Sequence, residues 1–250
     1  MCCACNLQAQ NLVLNGSFEL NTAIYCIHDL PKKSYENTVQ HSMCFGDNST
    51  LSLINDSCLT CSPPVYWGGG AKEGNWFLIM LGREETFSTG DIYRKQGKIS
   101  LKLDAPLLNT KRYKLSFWIK DPPPEPPNCI YAKNNYVNVG ISNTDTTFGR
   151  HLVTTAYGDS VWQEYTYVFE TQNAEEHITV TVGVNDTIDY GVFIDNFVLR
   201  ETTEPLSTDV NEVPYHQKQL IKVVDILGKT ATPKQKGLLF YIYNDGTVEK

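Results

Sequence analysis

Strict alternation of apolar and polar residues recurs through the first 200 residues of this 250-residue chain, and it leaves few folds open. A period of two is the signature of a β-strand with one buried face. "KISLKLD" sets Ile99, Leu101 and Leu103 against Lys98, Ser100 and Lys102. "RYKLSFWIK" repeats the pattern with Tyr113, Leu115, Phe117 and Ile119, and "YVNVGI" with Val137, Val139 and Ile141. "EYTYVFE" adds Tyr165, Tyr167 and Phe169, and "HITVTVGV" adds Ile178, Val180, Val182 and Val184. "GVFIDNFVLR" is apolar on both faces, so it is expected at the centre of a sheet. No helical periodicity of comparable strength precedes residue 200. The expectation is an all-β, two-sheet sandwich with long loops.

Composition narrows the partners. Net charge is −7 and no basic block occurs, which argues against nucleic acid or an anionic membrane as the main partner. No apolar run is long enough to span a bilayer as a helix. The 14 Tyr, 10 Phe and 4 Trp suit sheets, and they also suit the apolar faces of sugar rings.

The chain divides by pattern. Residues 1–10 contain "NLQAQ", which reads like the end of an export signal with Ala9 near a cleavage position; a cytosolic protein with a Cys-rich tip is the other reading. Residues 11–200 carry the sandwich pattern, with a loop-rich insertion over residues 21–75 and a stiff "DPPPEPPNC" loop from Asp121 to Cys129. Residues 201–214 read as a linker, and residues 215–250 as a small C-terminal β-hairpin of two apolar runs, "QLIKVVDILGK" and "GLLFYIYNDGTVEK", separated by "TATPKQK", with a tight turn at Asn244-Asp245-Gly246. Cys26, Cys44, Cys58, Cys61 and Cys129 read as disulfide staples of the loop regions in an exported chain, with the pairing open. "CLTC" also has the spacing of a redox or zinc motif, without the second pair or neighbouring His that zinc requires.

Four motifs occur in one order: "NLVLNGSFE", "YKLSFWIK", "WQEYTYVFE" and "FIDNFVL". This order resembles the jelly-roll carbohydrate-binding modules of the galactose-binding-like superfamily. The resemblance implies that the first and last motifs lie side by side. It also implies a structural Ca²⁺ between them, with Glu19 and Asp195 as carboxylate ligands. Calcium takes several hard oxygen donors, so the Asn15-Gly16-Ser17 turn and the Glu73-Gly74-Asn75 stretch would aim further oxygens, with Asn15 and Asn75 as candidates. The alternative is that Glu19 and Asp195 accept hydrogen bonds from backbone amides and merely close the sandwich.

A sugar site needs aromatic faces with amides or charged groups beside them. The candidates are Tyr66 and Trp67 beside three glycines, and Tyr131, Asn134 and Tyr136 in "CIYAKNNY". Tyr93, Arg94 and Tyr157 are further candidates. No GxSxG, HExxH or P-loop occurs, and the pairs Glu84-Glu85 and Glu175-Glu176 are adjacent in sequence rather than opposed, so no enzyme is expected. "IKVVDILGK" and "YIYNDGTVEK" resemble the C-terminal sorting tails of the type IX secretion system of Bacteroidetes. The expected function is an exported, non-catalytic glycan-binding module, secreted or on the outer cell surface, with a polysaccharide and the secretion machinery as partners. The alternative is a structural or adhesion protein of the cell surface with no sugar ligand.

Overall fold

The computed structural model describes residues 10–46, 49, 51–55, 70–86, 92–121, 136–183, 190–207, 220–225, 229–230, 239–243 and 248–249. The chain divides into two compact units, Met1–Ser207 and Thr208–Lys250. No helix among the described residues is long and apolar enough to cross a membrane.

The first unit is an antiparallel β-sandwich. One sheet has the order β1-β3-β4-β12-β7-β10, with β5 also paired to β4. Its strands are β1 (Ile27–Leu30), β3 (Leu51–Asn55), β4 (Trp76–Thr86), β5 (Ile92–Gln96), β7 (Arg112–Lys120), β10 (Gln163–Glu170) and β12 (Tyr190–Thr202). The other sheet has the order β2-β6-β11-β8-β9, formed by β2 (Ser42–Cys44), β6 (Lys98–Lys102), β8 (Tyr136–Ser142), β9 (Arg150–Tyr157) and β11 (His177–Val182). The second unit is a three-stranded antiparallel sheet of β13 (Leu220–Asp225), β14 (Leu239–Tyr243) and β15 (Val248–Glu249). The two apolar runs of the expected hairpin pair as β13 and β14, and a short third strand adds to β14.

The alternating runs place their apolar residues between the sheets. Leu115, Phe117, Ile119, Val192, Ile194, Phe197 and Leu199 meet Ile99, Leu101, Val137, Val139, Ile141, Ile178, Val180 and Val182 in one cluster. Each fully buried side chain of this kind contributes roughly 1.5–3 kcal/mol. Phe117 stacks on Phe197 at 5.2 Å between ring centroids. β12 is central, as its two-faced apolarity predicts, because Phe193 faces a second cluster on the far side of the sheet with Phe77 and Ile79.

Two features differ from expectation. Residues 21–75, expected as loop, hold three short strands and helix α1 (Lys32–Thr38). That helix is seven residues long and buries only Tyr35, with Val39 just past its end, so it leaves too little periodicity to detect. Cys44 is a buried free thiol in the core. Burial pushes it up to about 12, so it behaves as a small apolar residue and not as a staple. Cys58, Cys61 and Cys129 lie outside the described residues.

The opening segment is no ladder strand. It runs between the two sheets and bonds to both: Leu12 N–H donates to the Leu199 carbonyl, Leu14 N–H to the Lys102 carbonyl, and Phe197 N–H to the Gly16 carbonyl. Asn11 makes bonds of 3.1 and 2.9 Å with the backbone of Phe197 and Leu199. Gly16 is required because a Cβ there would overlap the Phe197 carbonyl oxygen. Replacing Gly16 by Ala is therefore expected to lower stability by about 2–4 kcal/mol, read as a shifted urea midpoint with unchanged slope. An unchanged midpoint would show that the two backbones are not held in this contact.

Candidate functional site

The turn after Leu14 is built by Asn15, whose side chain is buried. Its Nδ2 donates to the carbonyls of Leu20 and Gln40 at 3.0 and 2.8 Å, and its Oδ1 accepts from Leu20 N–H at 3.0 Å. This closed loop holds Phe18 in the left-handed region, with φ 59°, and buries its ring completely. Glu19 follows and points at residues 75–76: its Oε1 accepts from the N–H groups of Asn75 (2.8 Å) and Trp76 (2.7 Å).

Asp195 arrives from the other end of the chain. A bulge in β12 shifts the register between Asp195, opposite Trp118, and Val198, opposite Ser116. One extra residue, Asn196 at φ 50°, is absorbed there. The bulge lets Ile194 and Phe197 both face the core while Asp195 faces the outside of the sheet with Phe193. Asp195 is nevertheless fully buried, because residues 70–76 cross over it. Its Oδ2 accepts from Lys72 N–H (2.7 Å) and Glu73 N–H (3.0 Å), and its Oδ1 from Asn196 N–H (2.7 Å). Trp162 Nε1 donates to the Gly70 carbonyl at 3.0 Å, and the Lys72 ammonium sits 3.7 Å over the Trp118 ring.

The structure thus brings Glu19, Asp195 and the Asn75 backbone together, and gives Asn15 a separate network. No group of three or more His, Cys, Asp or Glu able to hold a metal occurs among the described residues. Both carboxylates accept hydrogen bonds from backbone amides. Burial pushes the Asp195 carboxyl from its ordinary 3.8 up to about 7; the amides of Glu73, Asn196 and Lys72 oppose this, and the Glu19 carboxylate adds to it.

A second locus lies on the outer face of the five-stranded sheet. Tyr136 opposes Tyr157, with ring centroids 5.7 Å apart and a 55° tilt. The Tyr136 ring lies directly over Gly183, where a Cβ would stand 2.6 Å from ring carbons. Both tyrosines are half-buried, and Asn138 and Thr181 pair beside them. The Tyr157 backbone is fixed by Tyr165, whose hydroxyl bonds both its N–H and its carbonyl at 3.0 Å. Tyr66, Trp67, Tyr131 and Asn134 lie outside the described residues. Of the adjacent carboxylate pair at 175–176, Glu175 is buried and faces Arg150 at 3.4 Å.

No family model matches the chain, and no curated protein matches it. Among solved structures it is similar to TmCBM61 in complex with β-1,4-galactotriose (13% identity, TM-score 0.44, covering 78% of this chain and 100% of that one). It is also similar to the Stig cyclase Fisc from Fischerella sp. TAU (17%, 0.44, 80% and 100%) and to a family 16 carbohydrate-binding module (16%, 0.39, 76% and 99%). These are likenesses of fold alone, shared by binding modules and an enzyme.

The Asp195 carboxyl has a folded pKa above its unfolded one, so the fold favours the neutral form. That stabilisation is complete below about pH 4 and is lost as pH rises through about 7, up to about 4 kcal/mol. In chelating buffer the melting temperature is expected to fall across this window, and Asp195→Asn to flatten the fall. Equal pH slopes in the two proteins would remove Asp195 as the cause.

Proposed function

We propose that the chain is a non-catalytic glycan-binding module that works outside the cell, holding a polysaccharide against the Tyr136–Tyr157 pair. The observation that carries this reading is the placement of Tyr136. Its ring rests over a glycine on a rigid sheet, half-buried beside a second tyrosine and flanked by the polar Asn138 and Thr181. An aromatic face with adjacent amide and hydroxyl groups is what the apolar face and hydroxyl rim of a sugar ring require. Tyr131 and Asn134, which immediately precede this strand in sequence, are further candidates for ligand contact. Tyr66 and Trp67, outside the described residues, remain candidates for ligand contact. The sorting-like tail at residues 215–250 supports export, with the secretion machinery as a transient partner.

Tyr136→Ala and Tyr157→Ala are each expected to weaken binding about tenfold or more, equivalent to about 1.4 kcal/mol, in affinity electrophoresis against plant, algal and bacterial polysaccharides. The melting temperature should change little, since neither ring is in the core. Absence of retention on every glycan would overturn the reading and leave the sandwich as a surface spacer or adhesion unit.

We also propose that a structural Ca²⁺ neutralises the Glu19–Asp195 pair, its role confined to holding residues 70–76 on the sheet. Two acids close together in a buried site support this. Chelator should then lower the melting temperature of the wild type at pH 7.5, and the drop should be absent in Asp195→Ala. A melt indifferent to both chelator and added Ca²⁺ would leave the amide bonds as the whole of the interaction.

A further inference from the structure

A pocket of about 340 Å³ opens between α1, the β2–β6 edge of the five-stranded sheet and the start of β11. It shares no lining residue with the carboxylate pair or with the tyrosines. Its wall carries three carboxylates, Glu36, Asp145 and Glu176, against one ammonium, Lys102, and two imidazoles, His41 and His177.

Its hydrogen bonding is lopsided. The wall's two hydroxyls are engaged: Ser42 Oγ lies 2.6 Å from the Tyr35 hydroxyl, and Ser100 Oγ donates to the Asp145 carbonyl at 3.0 Å. Two polar atoms are buried without a hydrogen-bond partner, Oε1 of Glu36 and Nδ1 of His177. Lys32 Nζ forms an i,i+4 ion pair with that Glu36 oxygen at 4.0 Å, too long for a hydrogen bond, so the oxygen has a charge partner and no donor. Burial holds the His177 imidazole below its ordinary range despite Asp145 and Glu176, which favours the neutral ring. A neutral imidazole has one bare nitrogen, and with the proton on Nε2 that acceptor is Nδ1. In that tautomer both unmatched atoms lack a donor. A buried acceptor left unmatched costs the fold about 1–3 kcal/mol, and such atoms call for an explanation.

We propose that this pocket binds the primary ammonium of a small polar molecule, which supplies the donors missing at Oε1 of Glu36 and Nδ1 of His177. An ammonium brings three N–H donors and a positive charge, and the wall has acceptors and negative charge in excess. The volume is at the lower end for ligand pockets, enough for one amino-sugar ring or a short alkylamine. Both present the same ammonium. An acidic ligand (a uronate, sulfate or phosphate) would face three carboxylates and is excluded by charge. The inference stands apart from the glycan reading, because it requires no aromatic platform and no polymer.

The full chain is titrated with D-glucosamine, ethanolamine, N-acetyl-D-glucosamine and D-glucose, following the ¹⁵N resonance of His177 Nδ1 by NMR. The expected result is a saturable shift with at least one of the two amines and none with the acetylated or neutral sugar. Tighter binding of glucosamine identifies a sugar source, and equal binding of both amines identifies the ammonium alone. Glu36→Gln is expected to weaken the amine about tenfold, the size of one lost charge-assisted hydrogen bond. Comparable shifts with glucose, or no shift with either amine at millimolar concentration, overturn the proposal. The wild-type selectivity decides the matter even if Glu36→Gln does not fold. If it folds and binds the amine as tightly as wild type, the proposal also fails.

Discussion

Two carboxylates from opposite ends of the sandwich domain determine where residues 70–76 go. Glu19 takes the amides of Asn75 and Trp76, and Asp195 takes those of Lys72 and Glu73. A loop crossing a sheet face carries N–H groups that no ladder can satisfy, and buried amides do not go unpaired. Carboxyl oxygens on both sides accept these bonds and deliver the chain into β4 at Trp76 with a defined register against β3 and β12. The same crossing covers Asp195 and places Lys72 on Trp118, so loop and acid bury one another.

The other sheet is crowned differently. The connection between β8 and β9 folds back over its outer face: Ser100 Oγ donates to the Asp145 carbonyl, and Gly149 N–H donates to Thr179 Oγ1 at 3.2 Å. Thr179 is buried although it points away from the core. The crossing separates the Tyr136–Tyr157 pair from the pocket walled by acids and imidazoles. A sheet that would be a uniform polar surface becomes two surfaces with different chemistry.

Much of this was legible in the sequence because a β-strand writes its orientation in every second residue. The alternating faces of β6, β7, β8, β10 and β11 and the two-faced β12 follow directly from it. The nearness of Glu19 and Asp195 followed from the paired motifs rather than from any spacing. What was not legible is what depends on single contacts. The seven residues of α1 carry too few turns for a helical period. Cys44 is a free thiol, and nothing in its sequence neighbourhood sets it apart from a staple cysteine. The acid-walled pocket draws on α1, β2, β6, the β8–β9 connection and β11, and no local pattern unites residues 36, 145 and 177. Asn15 looked like an oxygen donor, but its amide closes its own turn.

The seam at the opening segment has a kinetic side. Asn11 bonds to Phe197, 186 positions away in sequence, and Leu12 reaches Leu199. Pairings between such remote stretches cannot form until the later one exists, and closing so large a loop is slow. A growing polypeptide therefore leaves the ribosome with its sandwich unsealed until β12 has been made. For most of its synthesis the molecule is an open sheet fragment, with its final shape withheld until the last strand slots between β4 and β7.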